Sequence, residues 1–500
     1  MSYASQKVGG KGICSSLKNC ADARTCCQKR RDFVEEQVLT ADSLVATGCF
    51  PAVDSPSQFD TDFGFKTAMS ADGNVLVVGA PSYDATAARS GAVFVFERRV
   101  SFAACLDTTT QDGKFHLVQV LKLDNPVEDD RFGNSVAVSG DGNRIAVSVP
   151  KKSVETISGA GVVYIYQRNA KQCGPSLWNI VQEIHDVKRT SATDCTVISA
   201  AEEGAFFGYN IALSRNGLIL AVSSTASDYS SSITLFEACP TFFSNCSKPV
   251  YKLAQRIDQA QVIADLNDPT LTLKTLRSIG LSLAISGDGS TVTFSGYEAT
   301  ANGLEFSGRV FVYIRNHQPS SWRFSQQLIA SDDRLFAGTH FGFSIAVTPC
   351  AQYLAVESYS GNKDVNGNGY VAVFKKQKNG QYVQDGNDMG PIVNDVNFHT
   401  NSLSIADSGC IVAVGYEGTN VSEFIQAGVV DVYERTQNGS ETVWTLKQVL
   451  NESPLRNDAG FGIGLAMDAL GLTIAAAAAG TEGGFDPDVV HVFQSSFICK

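Results

Sequence analysis

Several things are scarce in this 500-residue sequence, and each scarcity excludes something. No apolar run approaches the roughly 18 residues needed to cross a bilayer. The longest candidate, the alanine stretch at 475–479, is far too short, so no transmembrane segment is expected. The opening residues MSYASQKVGGKGICSS lack the uninterrupted apolar core of a secretory signal, so no signal peptide is visible in them. Histidine is thin: the six, at 116, 185, 317, 340, 399 and 491, are scattered, and no HExxH, GxSxG or P-loop accompanies them. On this ground no catalytic residue is assigned and the chain is expected not to be an enzyme. No CxxC pair has a matching second pair, which excludes the usual zinc ribbon.

Charge is present but unevenly spread. The formal net charge is −12, yet residues 1–31 hold seven Lys or Arg against the single acid Asp22, which leaves −18 on the remainder. An acidic body argues against nucleic acid as the main partner, because phosphate binding needs a basic face. The chain therefore divides into a basic, Cys-containing arm over 1–32 and an acidic body over 33–500. Thirteen cysteines is an odd number, so at least one is free or pairs with another chain. In an oxidising compartment the spacings suggest Cys239 with Cys246, Cys173 with Cys195, and Cys499 reaching back to Cys26 or Cys27. Reduced, buried thiols are the alternative. Sequons stand at Asn245, Asn420, Asn438 and Asn451.

What the body does contain is a repeat. FGFKTAMSADG at 63–73 recurs as FGNSVAVSGDG from 132, FGYNIALSRNG from 207, IGLSLAISGDG from 279, FGFSIAVTPCA from 341, HTNSLSIADSG from 399 and FGIGLAMDALG from 461. Each unit starts with an apolar strand and a Gly-containing turn, often Asp-Gly, which supplies the positive φ of a tight hairpin. A second strand is almost wholly apolar, as in NVLVVGAP (74–81), and implies burial on both faces. A third alternates with period two, as in GAVFVFER (91–98). A fourth sets an aromatic residue four positions before a glutamine: Phe115 and Gln119, Trp178 and Gln182, Tyr251 and Gln255, Trp322 and Gln326, Trp444 and Gln448. The fifth unit departs, because Tyr382 is followed by Gly386.

The seventh unit ends after its third strand, and the missing signature lies at the other end of the chain. FVEEQVL at 33–39 carries Phe33 and Gln37 in the same register. The expected fold is therefore all-β: a seven-bladed β-propeller of four-stranded antiparallel blades, its last blade closed by an N-terminal strand over 33–39.

The FG openings, the Gly79-Ala80-Pro81 triplet and the period of roughly 60 to 75 residues resemble the FG-GAP repeats of the integrin α-subunit head. The resemblance implies a non-catalytic adhesion platform, exposed on a cell or particle surface, that binds a protein or glycan on one rim. It also brings calcium to mind, but the hairpins here are too short to supply six to eight oxygens. No cofactor is expected; Asp364, Asn366 and Asn368 in DVNGNG are the one set that offers calcium some ligands.

Loops joining strands two and three, and those joining strand four to the next unit, share a face in such a ring, and function concentrates on loops. That face collects Tyr83, Asp84, Arg89, Asp228, Tyr297, Glu298, Tyr359, Tyr416, Glu417, Glu423, Phe424, Glu482 and Asp486. Aromatics beside carboxylates suit a basic protein patch or a glycan. The alternative is a structural subunit of a virion capsid or surface coat, its basic arm (1–31) gripping an acidic neighbour. An enzyme with an unrecognised central site is a minor third reading.

Overall fold

The computed structural model describes residues 31–41, 61–98, 113–169, 177–189, 197–226, 230–238, 250–268, 271–277, 279–317, 320–331, 334–359, 369–390, 402–439, 441–479 and 488–496. Within them lie seven four-stranded antiparallel sheets arranged as the blades of a propeller. Blade one shows the plan. Lys66–Met69 lines the central channel, Val75–Ala80 and Ala92–Arg98 follow, and Phe115–Leu121 forms the rim. Every residue of Val75–Ala80 is buried, as its unbroken apolar run requires of a strand covered on both faces.

Blade seven takes three strands from the C-terminus, Phe461–Met467, Thr473–Ala478 and Val489–Gln494, and its fourth from the N-terminus. Val34–Thr40 pairs antiparallel with Val489–Gln494, from Val34 opposite Gln494 to Thr40 opposite Val489. The ring closes as the sequence implies, with the strand one residue further on than expected. Closure satisfies an edge that an open array would leave to pair with another chain.

The aromatic-and-glutamine signature proves to be a latch between blades. In each case the glutamine of one blade holds the backbone of the aromatic residue in the next blade's rim strand. Trp178 N–H donates to Gln119 Oε1 at 2.7 Å while Gln119 Nε2 donates to Trp178 O at 3.1 Å. The same double bond joins Gln182 to Tyr251, Gln255 to Trp322, and Gln326 to Tyr382. Around the closure, Gln448 holds Phe33 and Gln37 holds Phe115. Where blade five lacks the glutamine, Asn387 replaces it, accepting from Trp444 N–H at 2.9 Å and donating to Trp444 O at 3.2 Å. The departure at Gly386 is thus a one-residue shift of the same device.

The FG opening has an equally local cause. Phe63, Phe132, Phe207, Phe341 and Phe461 are buried between blades, and Ile279 fills the same place in blade four. Phe132 crosses directly over Gly91, which immediately precedes strand three of blade one, and the two form a parallel bridge. A Cβ on Gly91 would stand 2.1 Å from Phe132 O, and φ there is +84°, so no other residue fits. Hydrophobic clusters built this way fill the space between successive blades.

No helix among the described residues is long and apolar enough to cross a membrane. Cys350 and Cys410, the two cysteines among those residues, are both disulfide-bonded. The cysteines paired from their spacing, Cys26, Cys27, Cys173, Cys195, Cys239, Cys246 and Cys499, lie outside the described residues, as do the arm over 1–30 and the sixth repeat's His399 and Thr400.

Candidate active site at the mouth of the central channel

The channel is built in layers because equivalent residues of the seven inner strands stand at equal heights. An apolar girdle comes first: Met69, Val138, Leu213, Ile285, Val347, Ile405 and Met467, one from each blade. Below it Arg215 of blade three reaches across to Asp407 of blade six in a two-pronged ion pair, with Nη2 and Oδ1 2.6 Å apart. Burial pushes the Asp407 carboxyl up and Arg215 holds it down. This pair spans the channel and closes that end around a space of about 180 Å³.

Above the girdle the channel widens into a cavity of about 510 Å³ that receives residues from all seven blades. Its polar lining includes Asn134, Asn210, Ser282, Ser344 and Ser402, and its walls carry Phe65, Tyr209, Tyr297 and Phe343. Tyr297, Phe343, His340 and Tyr359 form one aromatic cluster, with Phe343 and Tyr359 centred 5.4 Å apart and Tyr297 and His340 5.7 Å apart. Burial pushes the His340 imidazolium down.

Among the described residues Lys66 is the one charged side chain in the lining. It occupies the strand position that is Ser135, Asn210 and Ser282 in the next three blades. Blade seven has Gly464 there, where a Cβ would stand 1.9 Å from Gly64 O, so blade one's backbone takes that space. Burial drives the Lys66 ammonium below the ordinary lysine range, opposed by the negative charges of Glu417 and Glu357.

Glu357 breaks a second rule of the repeat. At the corresponding place on strand two, Ser148, Ser223 and Ser295 accept the inner-strand N–H groups of Ser135, Asn210 and Ser282 at 2.9, 3.0 and 3.1 Å. Blade five has a glutamate instead, only 1% exposed, whose Oε2 has no hydrogen-bond partner. It stands opposite the irregular stretch between Phe341 and Ile345, whose Phe343 and Ser344 line the cavity. Burial raises the Glu357 carboxyl well above the usual range, Glu417 adds to the rise, and Lys66 opposes it. Both members of the pair are thereby pushed toward their neutral forms.

The loop face expected from the sequence is only partly a face. Tyr83 packs on Phe94 with ring centres 5.5 Å apart and is buried, as is Tyr416. Asp84 accepts from Arg89 N–H, and exposed Arg89 pairs with Glu128 and Asp129. Tyr297 and Tyr359 belong to the channel mouth, with Tyr297 donating to Glu298 at 3.1 Å. Glu417 is half-buried beside Lys66, whereas Glu423 is exposed and Phe424 half-buried. Asp228, Asp364, Asn366, Asn368, Glu482 and Asp486 lie outside the described residues. Among the described residues no three His, Cys, Asp or Glu side chains are grouped to hold a metal ion.

Lys66 and Glu357 were not singled out from the sequence, although the signal is there. Aligning the seven units shows a lysine where others have Ser or Asn, and a glutamate where others have Ser, Gly or Ala.

Fold and channel together define a closed seven-bladed propeller with a polar cavity at one end of its axis. No family model matches the chain, and no curated protein does. Solved structures similar to it include a putative 6-phosphogluconolactonase from Bacteroides uniformis, 14% identical, covering 79% of this chain and 86% of that one at a TM-score of 0.44. A putative 6-phosphogluconolactonase from Bacteroides fragilis is 14% identical over 77% of this chain and 87% of that one, TM-score 0.42. The periplasmic gluconolactonase of Pseudomonas aeruginosa is 12% identical over 78% and 86%, TM-score 0.45. The FG-GAP, integrin-like label has no matching family model, and the similar propellers bear lactonase names. The adhesion platform that hung on that label is withdrawn with it, as are the virion subunit and the expectation that the chain is not an enzyme. The physical reason for the mislabel is that interblade packing alone demands the FG and Gly positions, whatever the propeller does.

Proposed function

We propose that the chain is an enzyme working at the channel mouth, hydrolysing a small, polar carbonyl compound by general acid–base catalysis. The observation that carries this is Lys66: among the described residues a lone lysine in a cavity otherwise lined by hydroxyl, amide and apolar groups, coupled to a buried glutamate whose Oε2 has no hydrogen-bond partner. A lysine with a lowered pKa is available as a neutral amine, able to take a proton from water as that water adds to the carbonyl carbon. The ammonium so formed returns the proton to the leaving oxygen, giving acid and alcohol and restoring the amine. Glu357 acts through Lys66 as a positioning residue, its charge setting where the amine titrates. Asn210, Ser282 and Ser344 supply hydrogen bonds to substrate oxygens, and the Tyr297 and Phe343 rings give the substrate an apolar wall to pack against.

The test is turnover of a panel of small lactones and esters. Lys66→Met is expected to lower kcat at least 100-fold with KM little changed, since removing a general base typically costs about 10²–10⁴-fold. Failure to hydrolyse any member of the panel, or a Lys66→Met variant as active as the parent, overturns the reading.

A further inference from the structure

Two elements interrupt the sevenfold plan among the described residues: the helix Gln259–Leu266, and the small hairpin of Val187–Arg189 with Val197–Ser199. Both border one cavity of about 920 Å³ lying over blade three, separate from the channel. Its floor is a row of polar side chains across three paired strands. Ser224 faces Ser232, and Ser232 faces Asp258. Ser224 and Ser232 are 4% and 1% exposed, line the cavity, and neither hydroxyl has a hydrogen-bond partner. Buried hydroxyls are ordinarily satisfied, so two unsatisfied ones side by side on the floor of a cavity ask for a ligand.

The charges around them tell which kind. Arg256 is occupied by Asp186, with its Nη1 2.5 and 2.6 Å from the two carboxylate oxygens. The Asp258 carboxylate is engaged as the helix cap, accepting from Gln261 N–H at 2.8 Å. Besides these, Lys188 and Glu202 bring one charge of each sign to the lining. Among the described residues no aromatic ring lines the space. Hydroxyls that both donate and accept match other hydroxyls better than they match an ammonium or a carboxylate. We propose that this cavity is a binding site for a neutral, polyhydroxylated molecule of about disaccharide size, which its volume accommodates. The site is independent of the chemistry assigned to the channel.

The experiment is saturation-transfer NMR on the full chain with sorbitol, sucrose, trehalose and maltose as probes, in the parent, in Ser224→Val/Ser232→Val, and in Lys66→Met. Valine removes each hydroxyl while adding one methyl group, and circular dichroism with a melting curve checks that the double variant is folded. The expected result is saturable transfer to at least one probe, weakened at least tenfold in the double variant and unchanged in Lys66→Met. No transfer to any of the four, or transfer unaltered in the double variant, overturns the proposal. Transfer lost in Lys66→Met but kept in the double variant also overturns it, by placing the sugar in the channel.

Discussion

The closing strand gives the sharpest test of how the ring is held. Val34–Thr40 meets its partner strand across the whole length of the chain, so no hairpin tethers it, and the latches on either side carry a greater share of its fixation. Gln448→Ala removes two bonds, Phe33 N–H to Gln448 Oε1 at 2.6 Å and Gln448 Nε2 to Phe33 O at 2.9 Å. Each contributes about 0.5–1.5 kcal/mol, so the variant loses about 1–3 kcal/mol of local stability. Local opening that becomes easier by that amount speeds amide exchange about 5- to 150-fold, at tenfold per 1.4 kcal/mol. Hydrogen–deuterium exchange with mass spectrometry on a peptide spanning 34–40 reads this directly. Gln255→Ala is the control: it removes the equivalent bonds to Trp322, at 3.0 and 2.7 Å, from a strand tied into its blade by chain connectivity. Its effect is expected to stay smaller and to leave 34–40 untouched. Unaltered exchange over 34–40 in Gln448→Ala would refute the latch as the anchor of the closing strand.

Further outcomes follow from the buried charges and the interblade glycines. Burial raises Asp431 to about 6, with Tyr433 donating to it at 3.1 Å. A carboxyl raised on folding holds its proton more tightly in the native state, so its contribution is present below the ordinary carboxylate range and lost as pH rises through about 6. Asp431→Asn is therefore expected to flatten the pH dependence of urea stability between pH 4 and 7, by about 2–3 kcal/mol at 1.36 kcal/mol per pH unit; an unchanged slope refutes it. Glu357→Gln removes a negative charge that holds the Lys66 ammonium up, so the rising limb of the pH–rate profile is expected to move to lower pH, and a shift the other way contradicts the assigned coupling. Gly91→Ala forces a Cβ into Phe132 O at positive φ and is expected to cost about 3 kcal/mol in thermal or denaturant melts. Arg215→Met leaves Asp407 unpaired across the channel; with the arginine partly exposed, the loss is expected at about 1–3 kcal/mol, and it should vanish in the Arg215→Met/Asp407→Leu double variant.

The sequence by itself determined the architecture. Seven copies of one strand pattern, the Asp-Gly turns and the signature at Phe33 and Gln37 specify blade number, strand order and closure, because period and turn chemistry act within a few residues of where they are written. It also marked the latch positions, though their purpose, one blade gripping the backbone of the next, appears only when the rim strands are side by side. The site was a matter for tertiary structure. Lys66, Glu357 and Glu417 come from blades one, five and six and are brought within electrostatic reach by ring closure alone. The same packing took Tyr83 and Tyr416, which a loop position suggested for a surface, into the core. Local pattern records what each strand needs from its neighbours; which distant side chains share a cavity depends on the curvature of the whole ring, and no single repeat encodes that.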